Sequence, residues 1–223
     1  MRRRIVIYGA GGMARWVCPE MIATGCDFEV AGFVTDDAEG QGGSLFDMPI
    51  SAFYTVEAEY PPDQFQMLVL TGYRRMRERR TTIDRARKKG YSLCSFISRR
   101  AITYPDLIAG DNVVIGPGVY VGPGCRLGEN VTIAQSAHIG TGASVSAQSY
   151  IAGRAVIGGL AVVGELCFVG LNATVVDRAE LGQETFVAAG AVVRRVTEPF
   201  SQYVGNPAVS RGEHRDGGMV FFE

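Results

Sequence analysis

From Ile115 to Val193 every sixth residue is aliphatic without a break: Ile115, Val121, Leu127, Ile133, Ile139, Val145, Ile151, Ile157, Val163, Val169, Val175, Leu181, Val187 and Val193. The residue two places earlier is small or slim each time, from Val113 through Ala137, Ala155 and Cys167 to Ala191. A strand has period two, so both rows point inward, and the two residues left between one pair and the next are turn material. Three hexads close one triangular coil. A coil cannot bury its apolar column alone, so the pattern predicts a parallel β-helix of between four and five stacked coils. Helical faces need spacings of three and four, and ordinary strands do not hold one phase over about eighty residues.

Before the repeat the pattern changes. Ile5 to Tyr8 is a buried-strand run, followed by Gly9-Ala-Gly-Gly-Met-Ala, a helical stretch from Met13 to about Ala23, and a second strand from Phe28 to Val34 that ends in Asp36-Asp37. This is a βαβ unit whose glycines let a ligand approach the backbone. The helix N-terminus favours an anionic group, and an acid after the second strand suits a ribose hydroxyl. A third strand is predicted from Gln66 to Thr71, ending in Gly72. A charged helix follows from Arg74 to Lys89 with Met76, Ile83 and Ala86 as its apolar seam; its arginines suit phosphate or an acidic partner, with a solvated face as the blander reading. Tyr91 to Ile97 is predicted as the last strand of this α/β unit, with a boundary near residue 100.

Composition permits rather than selects. The 223 residues, 47% hydrophobic with net charge −1, describe a globular protein without a nucleic-acid signature. Four apolar residues before Gly9 are too few for a signal or spanning segment, so the expectation is a cytoplasmic protein that does not engage a membrane. The five cysteines contain no C-x-x-C pair and fall mostly on apolar or repeat positions, which predicts neither a disulfide nor a metal site.

The Gly-Ala-Gly-Gly turn, the stretch YSLCSFISRRA, hexads containing CFVGLNATV and the closing VGNPA together resemble the bacterial sugar O- and N-acyltransferases. That group includes sialic acid O-acetyltransferase and the bacillosamine-pathway N-acetyltransferase. The resemblance covers essentially the whole chain. It implies a Rossmann-like α/β domain over residues 1–100, a left-handed parallel β-helix over 101–211 and a tail over 212–223. It also implies a homotrimer, acetyl-CoA as acyl donor in the groove between prisms, no NAD, and a sugar or sugar nucleotide held by the first domain. Gly9, Gly11, Gly12, Met13, Asp36, Asp37, Gly72 and Tyr73 are the corresponding substrate-side residues. Gly159, Gly170, Leu171, Ala189, Asn206, Pro207 and Arg211 are those expected along CoA, although Val209-Ser210 intervene before the basic residue that usually follows VGNPA at once.

The implied chemistry needs a base to take a proton as the acceptor attacks the thioester. The related motif reads roughly Asn-His-Ile-Gly-His; here the stretch is Ala137-His-Ile-Gly-Thr-Gly142, with Thr141 in the slot of the usual histidine. A threonine hydroxyl is no base at neutral pH. Three readings follow: His138 as a displaced base, catalysis by positioning an already neutral amine, or a non-catalytic sugar-nucleotide-binding scaffold. The tail, with Gly217-Gly218 and then Met-Val-Phe-Phe, is unexplained by the family pattern and is expected to dock its apolar residues on a neighbouring surface.

Overall fold

The computed structural model describes residues 3–36, 41–215 and 218–219. Asp37, Gly217 and the apolar residues after Met219 lie outside the described residues. The N-terminal part is a small α/β unit. Its elements are β1 (Arg3–Tyr8), α1 (Gly12–Thr24), β2 (Phe28–Thr35), β3 (Ser44–Leu45), β4 (Met48–Ala52), α2 (Val56–Glu59), β5 (Gln66–Val69) and α3 (Met76–Lys88). The sheet order is β3-β4-β2-β1-β5. Strands β4, β2, β1 and β5 run parallel, and β3 adds an antiparallel edge. The β3–β4 hairpin was not foreseen in the sequence. Ile5, Val6 and Ile7 in β1 are fully buried, as the unbroken apolar run requires for a central parallel strand.

From residue 96 the chain winds into a three-faced prism of two-residue strands. Strands on one face are eighteen residues apart and pair in parallel, as Thr132 with Tyr150 and Ile133 with Ile151. Uniform parallel stacking with a six-residue period fits a left-handed β-helix. Both inward rows form one core cluster, from Val113 and Ile115 to Ala191 and Val193. Coil spacing leaves no room beside the corners: a Cβ added to Gly158 would stand 2.4 Å from the Asp177 nitrogen.

Face I carries strands at 96–97, 114–115, 132–133, 150–151, 168–169 and 186–187, and then Ser201–Val204 paired antiparallel with Val209–Glu213. Face II carries strands at 120–121, 138–139, 156–157, 174–175 and 192–193; face III carries 108–109, 126–127, 144–145, 162–163 and 180–181. The expected closing strand of the α/β unit belongs elsewhere. Phe96 and Ile97 pair with Val114 and Ile115 in the prism, and one bridge from Leu93 to Met67 is what reaches the N-terminal sheet. The apolar pair at 96–97 was correctly read as a strand; which sheet claims it depends on register across the seam.

The α/β unit covers face I. Met13, Val17 and Cys94 share one apolar cluster with Val114, Ala134, Tyr150 and Phe168. Polar ties fix the seam. Asn112 accepts from the Val69 amide and donates to the Val69 carbonyl, both at 2.8 Å, so a side-chain amide satisfies the open edge of β5. Arg79 is fully buried and donates to the carbonyls of Thr71 (2.7 Å), Gln148 (2.9 Å) and Asn130 (2.6 Å). Burial without a carboxylate partner lowers its pKa to about 10, still well above neutrality. The α3 arginines are therefore less a solvated face than expected: Arg77, Arg80 and Arg87 pair with Glu184, Glu165 and Asp111 of the prism corner.

Candidate functional site

Where the α/β unit leans on face I, a cleft of about 890 Å3 opens. One wall is the entry to α1, with Gly11, Gly12 and Met13; a second is Gly72, Tyr73 and Arg74; the far edge is the corner between faces I and II, with Gly153, Leu171 and Ala189. The floor follows from the outward position of every third hexad. Tyr150 and Phe168 stack at 5.8 Å between ring centroids, Phe168 and Phe186 at 5.5 Å, and Tyr73 leans on the first two at 4.9 and 5.0 Å. Burial pushes the Tyr150 phenol up to about 12. It is a neutral hydrogen-bonding group at physiological pH, not a base.

Gly11, Gly12 and Gly72 have nothing within 4 Å of an added Cβ, so each presents bare backbone to open space. Gly11 caps α1 without a side-chain bond, so the first-turn amides have no capping side chain where Gly11, Gly12 and Met13 line the cleft. Gly9 differs: its φ is +118° and a Cβ there would meet the Leu70 carbonyl oxygen at 2.7 Å. The sheet itself therefore requires that glycine.

An adjoining hollow of about 360 Å3 shares Leu70, Gly72 and Arg74 with the cleft and is lined by Tyr8, Gly9 and Asp36. Asp36 is already engaged. Arg85 grips both its oxygens at 2.7 Å, and the Tyr8 hydroxyl donates to it. The Arg85 bonds, helped by Tyr8, hold the Asp36 carboxyl below its usual range, and the phenol of Tyr8 is raised by burial and by that carboxylate. A ribose hydroxyl at Asp36 has to share an occupied carboxylate.

The remaining expected residues lie elsewhere. His138 is exposed on face II, stacked on Tyr120 at 4.8 Å and 12°. Thr141 is exposed at the corner of faces II and III, in one column with Gly159 and Asp177; its carbonyl accepts from the Leu160 amide at 2.9 Å. The Gly159 amide donates to Asp177 Oδ1 at 2.7 Å, so a ligand carbonyl must displace a carboxylate to use it. Face II thus separates the Thr141–Gly159 corner from the Leu171–Ala189 corner, and one chain does not bring the two into one pocket. At the end of the prism, Pro207 lines a hollow of about 490 Å3 together with Arg194, Arg195 and Tyr203. Arg211 is exposed in the last strand, outside that lining.

Sequence reasoning missed Trp16, Tyr150, Phe168 and Phe186 in the cleft and Arg194-Arg195 at the prism end. The aromatic floor had a signal, three rings eighteen residues apart, each just before an inward aliphatic. The arginine pair had one too, directly after the last hexad valine.

Two repeat families match the prism: "Bacterial transferase hexapeptide (six repeats)" over residues 110–141 and "Hexapeptide repeat of succinyl-transferase" over 161–195. No curated protein matches the chain. Among solved structures, the acetyltransferase domain of PglB from Neisseria gonorrhoeae FA1090 is 26% identical, with 93% of this chain and 99% of that one covered and a TM-score of 0.84. The same domain has been solved in complex with acetyl coenzyme A. A mutant of perosamine N-acetyltransferase from Caulobacter crescentus, in complex with CoA and GDP-perosamine, is also 26% identical. There 94% of this chain and 97% of that one are covered, and the TM-score is 0.86. The resemblance to these acetyltransferases runs over both parts of the chain, the prism carries bacterial transferase hexapeptide repeats, and the protein is an enzyme, an acyltransferase.

Proposed function

We propose that this hexapeptide-repeat acyltransferase moves an acyl group, first of all acetyl, from acetyl-CoA to an amino or hydroxyl group of a sugar or nucleotide-linked sugar. The observation that carries the reading is the cleft. It has a ring-stacked floor suited to the face of a sugar or base, bare glycine backbone at a helix N-terminus suited to phosphate, and an edge formed by Gly170, Leu171 and Ala189.

In this reading residues 1–100 act as a Rossmann-like sugar-nucleotide module, with phosphates near Gly11, Gly12 and the exposed Arg74. CoA lies along Gly170, Leu171 and Ala189 toward Asn206 and Pro207. Arg194 and Arg195 meet its phosphates in place of the displaced Arg211. The acceptor nitrogen or oxygen attacks the thioester carbonyl, the new C–N or C–O bond forms, the C–S bond breaks, and the acceptor's proton passes to a base. His138 is the residue proposed for that proton. A homotrimer sets the His138–Thr141–Gly159 side of one copy against the Leu171 edge of the next, which would supply the side of the site that a single chain separates.

The experiment is an assay of thiol release and acylated product with acetyl-CoA and a panel of nucleotide-linked amino and neutral sugars. Turnover of at least one is expected. Absence of product across the panel, together with no CoA binding by calorimetry, would overturn the reading.

A further inference from the structure

The C-terminal segment has no part in the chemistry above, yet it is built into the seam. The His214 amide donates to the Phe200 carbonyl at 2.9 Å, and its Nε2 lies 2.7 Å from the Glu184 carbonyl. The Gly218 amide donates back to the His214 carbonyl at 2.9 Å. Met219 is 6% exposed, in the apolar cluster that contains Met13, Tyr150 and Phe168. Arg77 joins this segment to α3: its Nε donates to Glu184 Oε2 at 2.9 Å and its Nη2 to the Arg215 carbonyl at 2.7 Å.

We propose that Arg77, held in place by the C-terminal segment, is a positioning residue for the cleft wall Gly72–Arg74. Arg77 stands in the first turn of α3, directly after that wall. Arg79, two residues further on, pins the wall's start through the carbonyls of Thr71 at 2.7 Å and Gly72 at 3.3 Å. Arg79 ties these two carbonyls to those of Gln148 and Asn130 in the prism, without help from the C-terminal segment, and forms a fixed pivot. Arg77 forms a second point of attachment, and this one depends on a segment from the far end of the chain. The pair is not a surface ornament, because the Glu184 side chain is only 6% exposed, and a buried carboxylate that loses its cation is costly. The neighbouring pair of Arg80 with Glu165 is 46% and 36% exposed and carries little weight. With both points made, Tyr73 is held against Tyr150 and Phe168; with the second lost, the wall is free to swing on the first.

The purpose assigned to the wall rests on the acceptor-site reading, but its geometry can be measured without it. Trp16 is the chain's single tryptophan and lines the same cleft, so its fluorescence reports on the wall. Acrylamide quenching and amide exchange of residues 71–76 are to be measured in the full chain for Arg77→Ala, Arg77→Lys, Met219→Ser and Arg80→Ala, at a temperature where all retain wild-type far-UV signal. Arg77→Ala is expected to raise the quenching constant about twofold and exchange of the segment about tenfold, as local opening does. Met219→Ser is expected to give part of that effect, Arg77→Lys to restore most of it, and Arg80→Ala to match wild type. Wild-type behaviour of Arg77→Ala, or an equal rise in Arg80→Ala, would overturn the proposal. A rise in Arg77→Ala with Met219→Ser silent would overturn the role of the C-terminal segment. An empty acyl-transfer assay with these shifts intact would instead count against the acyltransferase reading alone.

Discussion

The two corners that bound face II are made of the same hexads and end up with opposite characters. The corner at Gly153, Leu171 and Ala189 lies beside the α/β unit and becomes the edge of a deep cleft. The corner at Thr141, Gly159 and Asp177 points away, and its one exposed amide of interest is occupied by Asp177 from the coil above. The repeat builds both corners alike. A site arises only where another surface covers one of them, and the residues that differ from coil to coil decide what that surface can hold.

Substitution at two glycines should separate scaffold from site most sharply. Gly11→Val adds carbon to open space at a φ of −86°, so thermal stability should stay near wild type while nucleotide-sugar binding falls at least about a hundredfold, phosphate being shut out of the turn. Gly9→Ala should do the reverse and cost roughly 1 kcal/mol or more of stability, because it meets the Leu70 carbonyl in a left-handed conformation. Calorimetric binding and thermal melts read both. Equal binding losses without a stability difference would erase the distinction.

Next in size is the outward corner. His138→Ala should lower turnover by roughly a hundredfold with CoA affinity unchanged, the range expected for a general base. Thr141→His should raise turnover by placing an imidazole in the slot that related motifs fill. A mild effect of the first and none of the second would favour a reaction driven by positioning. Smaller again is the floor: Phe168→Ala removes one ring of the stack and should raise the acceptor KM roughly three- to tenfold, with kcat little changed.

The smallest effect concerns the seam. Glu20 is buried on α1, accepts from Ser98 and pairs with Arg100 of the chain entering the prism. The Arg100 bond, aided by Ser98 and opposed by burial, holds its carboxyl below the ordinary 4.5. A depressed folded pKa contributes stability that is present above the unfolded value and lost as pH falls through the folded one. Glu20→Gln should therefore lower the melting temperature at pH 7, with the gap to wild type closing as pH falls below about 4. A gap that is constant with pH would remove the linkage.

Much of the prism was legible because its inward rows are spelled out locally: each aliphatic and the slim residue two places before it are buried where the period put them, Ser149 and Thr185 as polar members of the row. Strand β1, the turn after it, α1, β2, β5 and α3 were legible for the same reason, whereas the β3–β4 hairpin was not. The site was legible only in part. Gly11, Gly12, Met13, Tyr73, Gly170, Leu171 and Ala189 do meet in the cleft. Tyr150, Phe168 and Phe186 occupy outward positions that the period leaves free, and nothing local says which of three faces the α/β unit will cover. Arg79 read as part of a charged surface because the carbonyls that satisfy it lie 51 and 69 residues away in the chain.

The central claim is that acceptor cleft and proton acceptor belong to different copies of the chain. The most direct measurement mixes two inactive variants by co-expression, Gly11→Val with a blocked cleft and His138→Ala without the base, and assays the purified mixed assemblies. Sites shared between copies predict recovery of about a quarter of wild-type turnover, since half the clefts are intact and half of those face a chain that keeps His138. Activity no higher than the sum of the two separate variants, in assemblies shown by mass spectrometry to be mixed, would contradict the account.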